Sequence, residues 1–243
     1  AEHGLTGPLE IFEHERGLGA MFDMSRDADG RALARPLAEA PALMMAAIKA
    51  YPCLATGQTV AAAGIALAAK VKGRLGEIRA ITVTQADAPI IVRQQADPGR
   101  LDPRSREAAD HSFPFLAAVG LIDGRLTPRT FDDERWHAPQ VRALMARMRF
   151  AVDADLAARA PGGYPARMAI DMADGSRFDT EVLAAPGMAP GGVPEAAIIA
   201  KFDAVTDGIL APARRDEIKA MVLALERQAT IGPLMETLTR PPG

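Results

Sequence analysis

Two places in this chain hold side chains able to do acid–base chemistry. One is Lys49, which precedes Tyr51-Pro52-Cys53; the other is Asp110-His111-Ser112, at the head of a long apolar run. Proline drives the residue before it into an extended conformation, so the Tyr51-Pro52 step reads as a fixed turn. A lysine on such a turn can grip a carboxylate or transfer a proton. A histidine can serve as general acid or base near neutral pH. Polar residues at a helix start face an end that attracts anions, so Asp110, His111 and Ser112 read as the rim of a pocket for an anionic substrate. They are the three residue types of a hydrolase triad, but successive side chains on a helix point about 100° apart and cannot pass a proton along. The competing readings are plain ones. His111 would fix the helix start, Lys49 would be a solvated surface lysine, and Cys53 would be a small buried apolar residue.

The rest of the composition sets bounds. The 243 residues suffice for one large domain or two small ones. Hydrophobic content is 49%, charged content 24% and net charge −3, with aromatics at 5%, so nothing suggests a nucleic-acid surface. Cys53 is the only cysteine, and the histidines at 3, 14, 111 and 137 have no metal-ligand spacing, so no metal and no cofactor are expected. The most apolar stretch, 60–69, is about half the length that crosses a bilayer. A cytoplasmic protein with no membrane segment is expected.

Positioning elements follow from periodicity and punctuation. The opening, with Gly-Pro and Gly-Leu-Gly, reads as loop and short turns, as though the chain began in the middle of something. An Ala-rich helix is predicted over 59–72, closed by Gly73. Strands are predicted over 78–84 and 147–153, and a hairpin over 167–173 and 177–184 with Asp174-Gly175 as its turn. Asp102-Pro103 predicts the start of one helix running to about Ile122, kinked by Pro114. Residues 130–135 and 140–146 read as short surface helices, and 187–192 as a Gly/Pro linker. Amphipathic helices are predicted over 194–202 and 213–228, with Ile218, Val222 and Leu225 on one face. The fold class is α+β: a small, mostly antiparallel sheet with interleaved helices, followed by C-terminal helices.

Several of these segments together resemble the MmgE/PrpD family, which includes 2-methylcitrate dehydratase and cis-aconitate decarboxylase. The resemblance rests on Lys49-Ala-Tyr-Pro-Cys53, Ala109-Asp-His-Ser-Phe-Pro-Phe115 and Ala118-Val-Gly-Leu-Ile-Asp-Gly124, in that order. Gly4-Leu-Thr-Gly-Pro8 with Gly17-Leu-Gly19, and the stretch from Gly187 to Lys201-Phe202, resemble the family's connections between its two domains. Such proteins are about twice as long, pairing an all-helical domain with a smaller α+β lid across an interdomain active site. The resemblance therefore implies a segment 1–44 that packs on a helical domain, a lid over 45–187 and a closing helical segment over 188–243.

By the same resemblance Lys49 and His111 are the catalytic candidates, with Tyr51, Thr56, Gln58, Asp110 and Ser112 around the substrate. The substrate implied is a small di- or tricarboxylate, and the reaction a dehydration, decarboxylation or epimerisation. A homodimer, or a second chain supplying the helical half, is the implied partner. Two departures weigh against catalysis. No histidine follows the Tyr-Pro turn within 54–58, and Phe115 stands where a tyrosine is common. Losing one proton-transfer group costs about 10²–10⁴ in rate. A non-catalytic subunit of the same fold, or a fragment of a longer enzyme, are the alternatives.

Overall fold

Cap residues decide how the middle of the chain is divided. In the computed structural model, which describes residues 47–188 and 193–240, the predicted helix over 102–122 is instead two helices, with a third, short one just before it. Asp97 caps the first, Pro98–Leu101, through Gly99 N–H at 2.9 Å. Ser105 caps Arg106–Asp110 through Ala108 N–H at 3.2 Å, and Ser112 caps Phe113–Asp123 through Phe115 N–H at 3.3 Å. Asp102-Pro103 ends a helix instead of starting one, because the residue before proline is barred from the helical region. Pro114 produces no kink: it sits in the first turn of its helix, where its missing N–H has no partner to lose. Gly124, at φ +63°, closes that helix.

In chain order the longer elements are α1 (Gln58–Val71), β1 (Ile78–Ala86), α2 (Pro89–Gln95), α3 (Pro98–Leu101), α4 (Arg106–Asp110) and α5 (Phe113–Asp123). A 3-10 helix (Pro128–His137) and α6 (Pro139–Met145) lead to β2 (Met148–Asp153), α7 (Ala154–Arg159), β3 (Ala166–Met172) and β4 (Arg177–Val182). Helices α8 (Glu195–Thr206), α9 (Pro212–Leu223) and α10 (Gly232–Thr239) follow.

The sheet has the order β2-β1-β3-β4. Its two right-hand pairings are antiparallel, with Ile81 opposite Ile170 and Met168 opposite Thr180. The sheet is thus mostly antiparallel, as expected, but not wholly so: β1 and β2 run parallel, Ile81 opposite Met148. The helices between β1 and β2 carry the chain back to the starting edge of the sheet, and such a crossover makes the pair parallel. The hairpin turns at Asp174-Gly175 as its residues demand, Gly175 at φ +84°.

Helix α1 packs on β3 and β4, and α5 packs along α1. Every residue of 113–121 is buried, so α5 is the centre of the core. The segments predicted as surface helices belong to that core too. Phe131 and Trp136 stack near Phe115 at centroid distances of 5.7 and 6.4 Å, and Val141 and Leu144 of α6 are buried. In the C-terminal helices Ile218 is buried, while Val222 and Leu225, expected on its face, are exposed; Leu225 lies beyond the helix, which stops at Leu223. The segment 1–44 and most of the linker over 187–192 lie outside the described residues.

Candidate functional site

A fully buried glutamine builds the turn that follows Lys49. Gln58, the first residue of α1, accepts from Tyr51 N–H at 3.0 Å and donates to the Tyr51 carbonyl at 2.8 Å and the Cys53 carbonyl at 3.1 Å. Its amide also lies 3.1 Å from Cys53 Sγ. All the hydrogen-bonding capacity of this side chain goes into the turn 51–53, and none faces solvent. Thr56 is turned inward as well, donating to Gln94 Oε1 at 2.7 Å, and its carbonyl accepts from Gln85 at 3.2 Å. Gln95 completes this set by donating to Gln85 at 3.2 Å and to the Ala151 carbonyl at 3.3 Å. Pattern reading missed Gln85, Gln94 and Gln95; the signal was Gln85, a polar residue on the buried phase of β1.

Burial pushes the Cys53 thiol up to about 12, with Lys49 pulling it down, Asp110 pushing it up and the Gln58 hydrogen bond pulling it down. The thiol is therefore neutral and is no nucleophile. Lys49 and Asp110 both lie near enough to act on the thiol. Burial raises Tyr51 above the ordinary phenol, and the neighbouring Cys53 adds to it. Lys49 itself is exposed, on a segment pinned at both sides. Ile48 N–H donates to the Gly187 carbonyl at 3.0 Å, and Lys201 Nζ donates to the Lys49 carbonyl at 2.6 Å. Gly187 has φ +80°, and a Cβ there would stand 2.1 Å from the Ile48 carbonyl oxygen. Only glycine fits that contact.

The second half of the site is joined to the first by the backbone: Leu54 N–H donates to the Asp110 carbonyl at 3.1 Å. Asp110 ends α4 and His111 is its C-cap, so the two are not successive helical residues and their side chains do meet. The Asp110 carboxylate contacts His111 Nδ1, which also lies 3.0 Å from the Glu107 carbonyl. Both neighbours are acceptors, so Nδ1 carries the proton in the neutral ring and Nε2 keeps its lone pair. Nε2 has no hydrogen-bond partner among the described residues, and the ring is about half exposed, at 47%. Ser112 is fully buried, accepting from Phe115 N–H and donating to the Arg100 carbonyl at 2.5 Å. Lys49 and Tyr51 stand at the turn, and Asp110, bonded to it through Leu54, has His111 beside it; Gln58 holds the turn from inside, whereas Thr56 bonds Gln94 and Ser112 bonds Arg100 and caps α5. The described residues contain no cluster that could hold a metal ion.

Residues 51–227 match the family model for the MmgE/PrpD C-terminal domain. The chain belongs to the MmgE/PrpD family. The matched stretch takes in the turn, the Asp110-His111-Ser112 run, the whole sheet and α9, and it begins two residues after Lys49. Where MmgE/PrpD resemblance calls for a tyrosine, Phe115 is buried against Phe131 and Trp136, in a space with no solvent face. No helix among the described residues is long and apolar enough to cross a membrane.

Proposed function

We propose that this MmgE/PrpD chain contributes the α+β half of a lyase or isomerase acting on a small di- or tricarboxylate. The observation that carries the reading is the His111 ring, its Nδ1–H held by Asp110 and Glu107 and its Nε2 open, beside the turn that presents Lys49. Removing a proton from the carbon next to a carboxylate builds negative charge on that carboxylate. An ammonium group such as that of Lys49 stabilises this charge, and a neutral imidazole nitrogen accepts the proton. Loss of hydroxide from the next carbon then gives a dehydratase, as in 2-methylcitrate dehydratase. In a decarboxylase, loss of carbon dioxide itself leaves the electron pair on carbon and the imidazole supplies the proton that quenches it; in an epimerase, the abstracted proton returns to the other face. Tyr51 and Asp110 border the same space.

A helical domain completes the site in this reading, from a second polypeptide, a second copy of the chain or a further part of a longer one. The exposed apolar side chains of α8 to α10 support it: Ile209 is 63% exposed and Ile231 59%, with Val222, Met235 and Leu238 beside them in the C-terminal stretch. Such patches mark contact surfaces.

A second reading, a non-catalytic subunit of the same fold, is favoured by Gln58. It stands in the turn where the family resemblance calls for a proton-transfer histidine, and its amide is wholly committed to the backbone. Proton NMR in D₂O of citrate, 2-methylcitrate, cis-aconitate and malate separates the two. Deuterium uptake or a new product that disappears in His111→Gln supports the lyase or isomerase. An unchanged panel, with the folded chain and its copurifying partner present, supports the non-catalytic subunit.

A further inference from the structure

Apart from the site around Lys49 and His111, the loop after α5 and the C-terminal half of α8 enclose a groove of about 710 Å³. Its walls carry Arg125, Arg129, Arg215, Asp203 and Asp207. Both carboxylates already have cations. Asp203 accepts from Lys219 Nζ at 3.0 and 3.3 Å, and Asp207 lies 3.7 Å from Arg215. Arg125 and Arg129 have no carboxylate partner among the described residues.

Arg129 is nonetheless fixed in place. Its Nη2 donates to the Asp207 carbonyl at 3.0 Å, and a Cβ on Gly208, which has φ +70°, would stand 2.5 Å from that nitrogen. The glycine leaves room for the guanidinium to approach the backbone at that carbonyl. Two guanidinium groups with no carboxylate partner among the described residues therefore line one walled space, whose walls also include Thr127 and Tyr51. Guanidinium forks match planar or tetrahedral oxyanions, and a held fork loses less freedom on binding.

We propose that this groove is a binding site for a small dianion of the phosphate or dicarboxylate kind, with Arg125 and Arg129 as its anchoring donors. It adjoins the site around His111, sharing Ala50 and Tyr51 with it, but neither Lys49 nor His111 lines the groove. The inference stands whether or not the chain is an enzyme.

The test follows backbone amide signals of the isotopically labelled chain during titration with inorganic phosphate and, separately, succinate. Ionic strength is held constant so that screening does not change. Saturable shifts over 125–129 and 207–208 with either dianion are expected. Arg125→Gln should weaken that binding at least tenfold; Arg125 is exposed and makes no hydrogen bond among the described residues, so its variant keeps the fold. His111→Gln should leave it unchanged. A response to phosphate alone or succinate alone supports the site and identifies which oxyanion it takes. The proposal is overturned by no saturable response to either, by equal affinity in Arg125→Gln, or by loss of binding in His111→Gln with Arg125→Gln unaffected.

Discussion

Gly64 of α1 and Gly120 of α5 meet backbone to backbone where the two helices cross. A Cβ on Gly120 would stand 3.3 Å from the Gly64 carbonyl carbon and 3.1 Å from the Ala61 carbonyl oxygen, and one on Gly64 would stand 2.9 Å from the Ala117 carbonyl oxygen. The absent side chains bring α5 close enough to α1 to be buried along its whole apolar length. That closeness also fixes where Ser112 sits, and with it the preceding Asp110 and His111.

Valine at either glycine should therefore separate the helices. Overpacking of this kind costs about 1–3 kcal/mol. Urea unfolding of Gly64→Val and Gly120→Val should show lower midpoints with the fold retained. Unchanged midpoints would mean that the crossing has slack not visible in its geometry.

Gln58→Leu keeps the volume of the side chain but strands the Tyr51 N–H and two carbonyl groups. A buried polar group left without a partner costs about 1–3 kcal/mol. The variant should lose that order of stability, and amide exchange at Tyr51 should accelerate far more than in the centre of α1. Gln58→His, which places a proton-transfer group in the turn, should suffer a similar loss because an imidazole cannot make all the bonds of the amide.

His111 is expected to carry its neutral-ring proton on Nδ1. Long-range nitrogen–proton spectra of ring-labelled protein read this tautomer directly. Asp110→Ala should raise the share of the Nε2–H form, since only the Glu107 carbonyl then holds Nδ1–H. If the chain turns over substrate, His111→Gln should lower the rate by about 10²–10⁴.

Glu181 ties β4 to α7 and β3 by accepting from Arg159 at 2.7 and 2.8 Å and from Arg167 at 2.9 and 3.1 Å. These hydrogen bonds, Arg159 first, hold its carboxyl at about 2 against an ordinary 4.5. A carboxyl depressed on folding adds stability above its unfolded value and loses it as pH falls toward the folded one. Wild-type stability should therefore drop between about pH 5 and 2, and Glu181→Gln should flatten part of that drop. Asp174, also held at about 2, by Ser176 first and then Arg74, contributes in the same window. Chemical denaturation across that range is the measurement.

Cys53 should react slowly with a thiol reagent in the native protein, because the sulfur is buried and protonated. Labelling at a rate set by reagent concentration alone, as for an exposed thiol, would place the turn outside the core.

Much of this architecture can be read from residue order. The alternation of Ile81 and Val83 marks β1, and Asp174-Gly175 marks the hairpin, because both signals depend only on neighbours in sequence. The direction of the β1–β2 pairing depends on where a long excursion returns, which no local pattern encodes. The division of 97–123 into three helices was written in Asp97, Ser105 and Ser112, but a continuous apolar run outweighs such small cap residues when read by periodicity alone. In the candidate site, residue type pointed to Lys49, Asp110 and His111. It could not tell that Gln58, Thr56 and Ser112 face inward, since which way a polar side chain turns is settled by which backbone groups need a partner after packing.

The contact between Ile48 and Gly187 means that the chain enters and leaves the α+β unit at one point. A unit tied off in this way has its two ends side by side, the condition under which a new start and stop can be opened in one of its surface loops. The same unit is joined to the C-terminal stretch at a second place, where Arg129 donates to the Asp207 carbonyl at 3.0 Å, so its ends and its far side are both tied down.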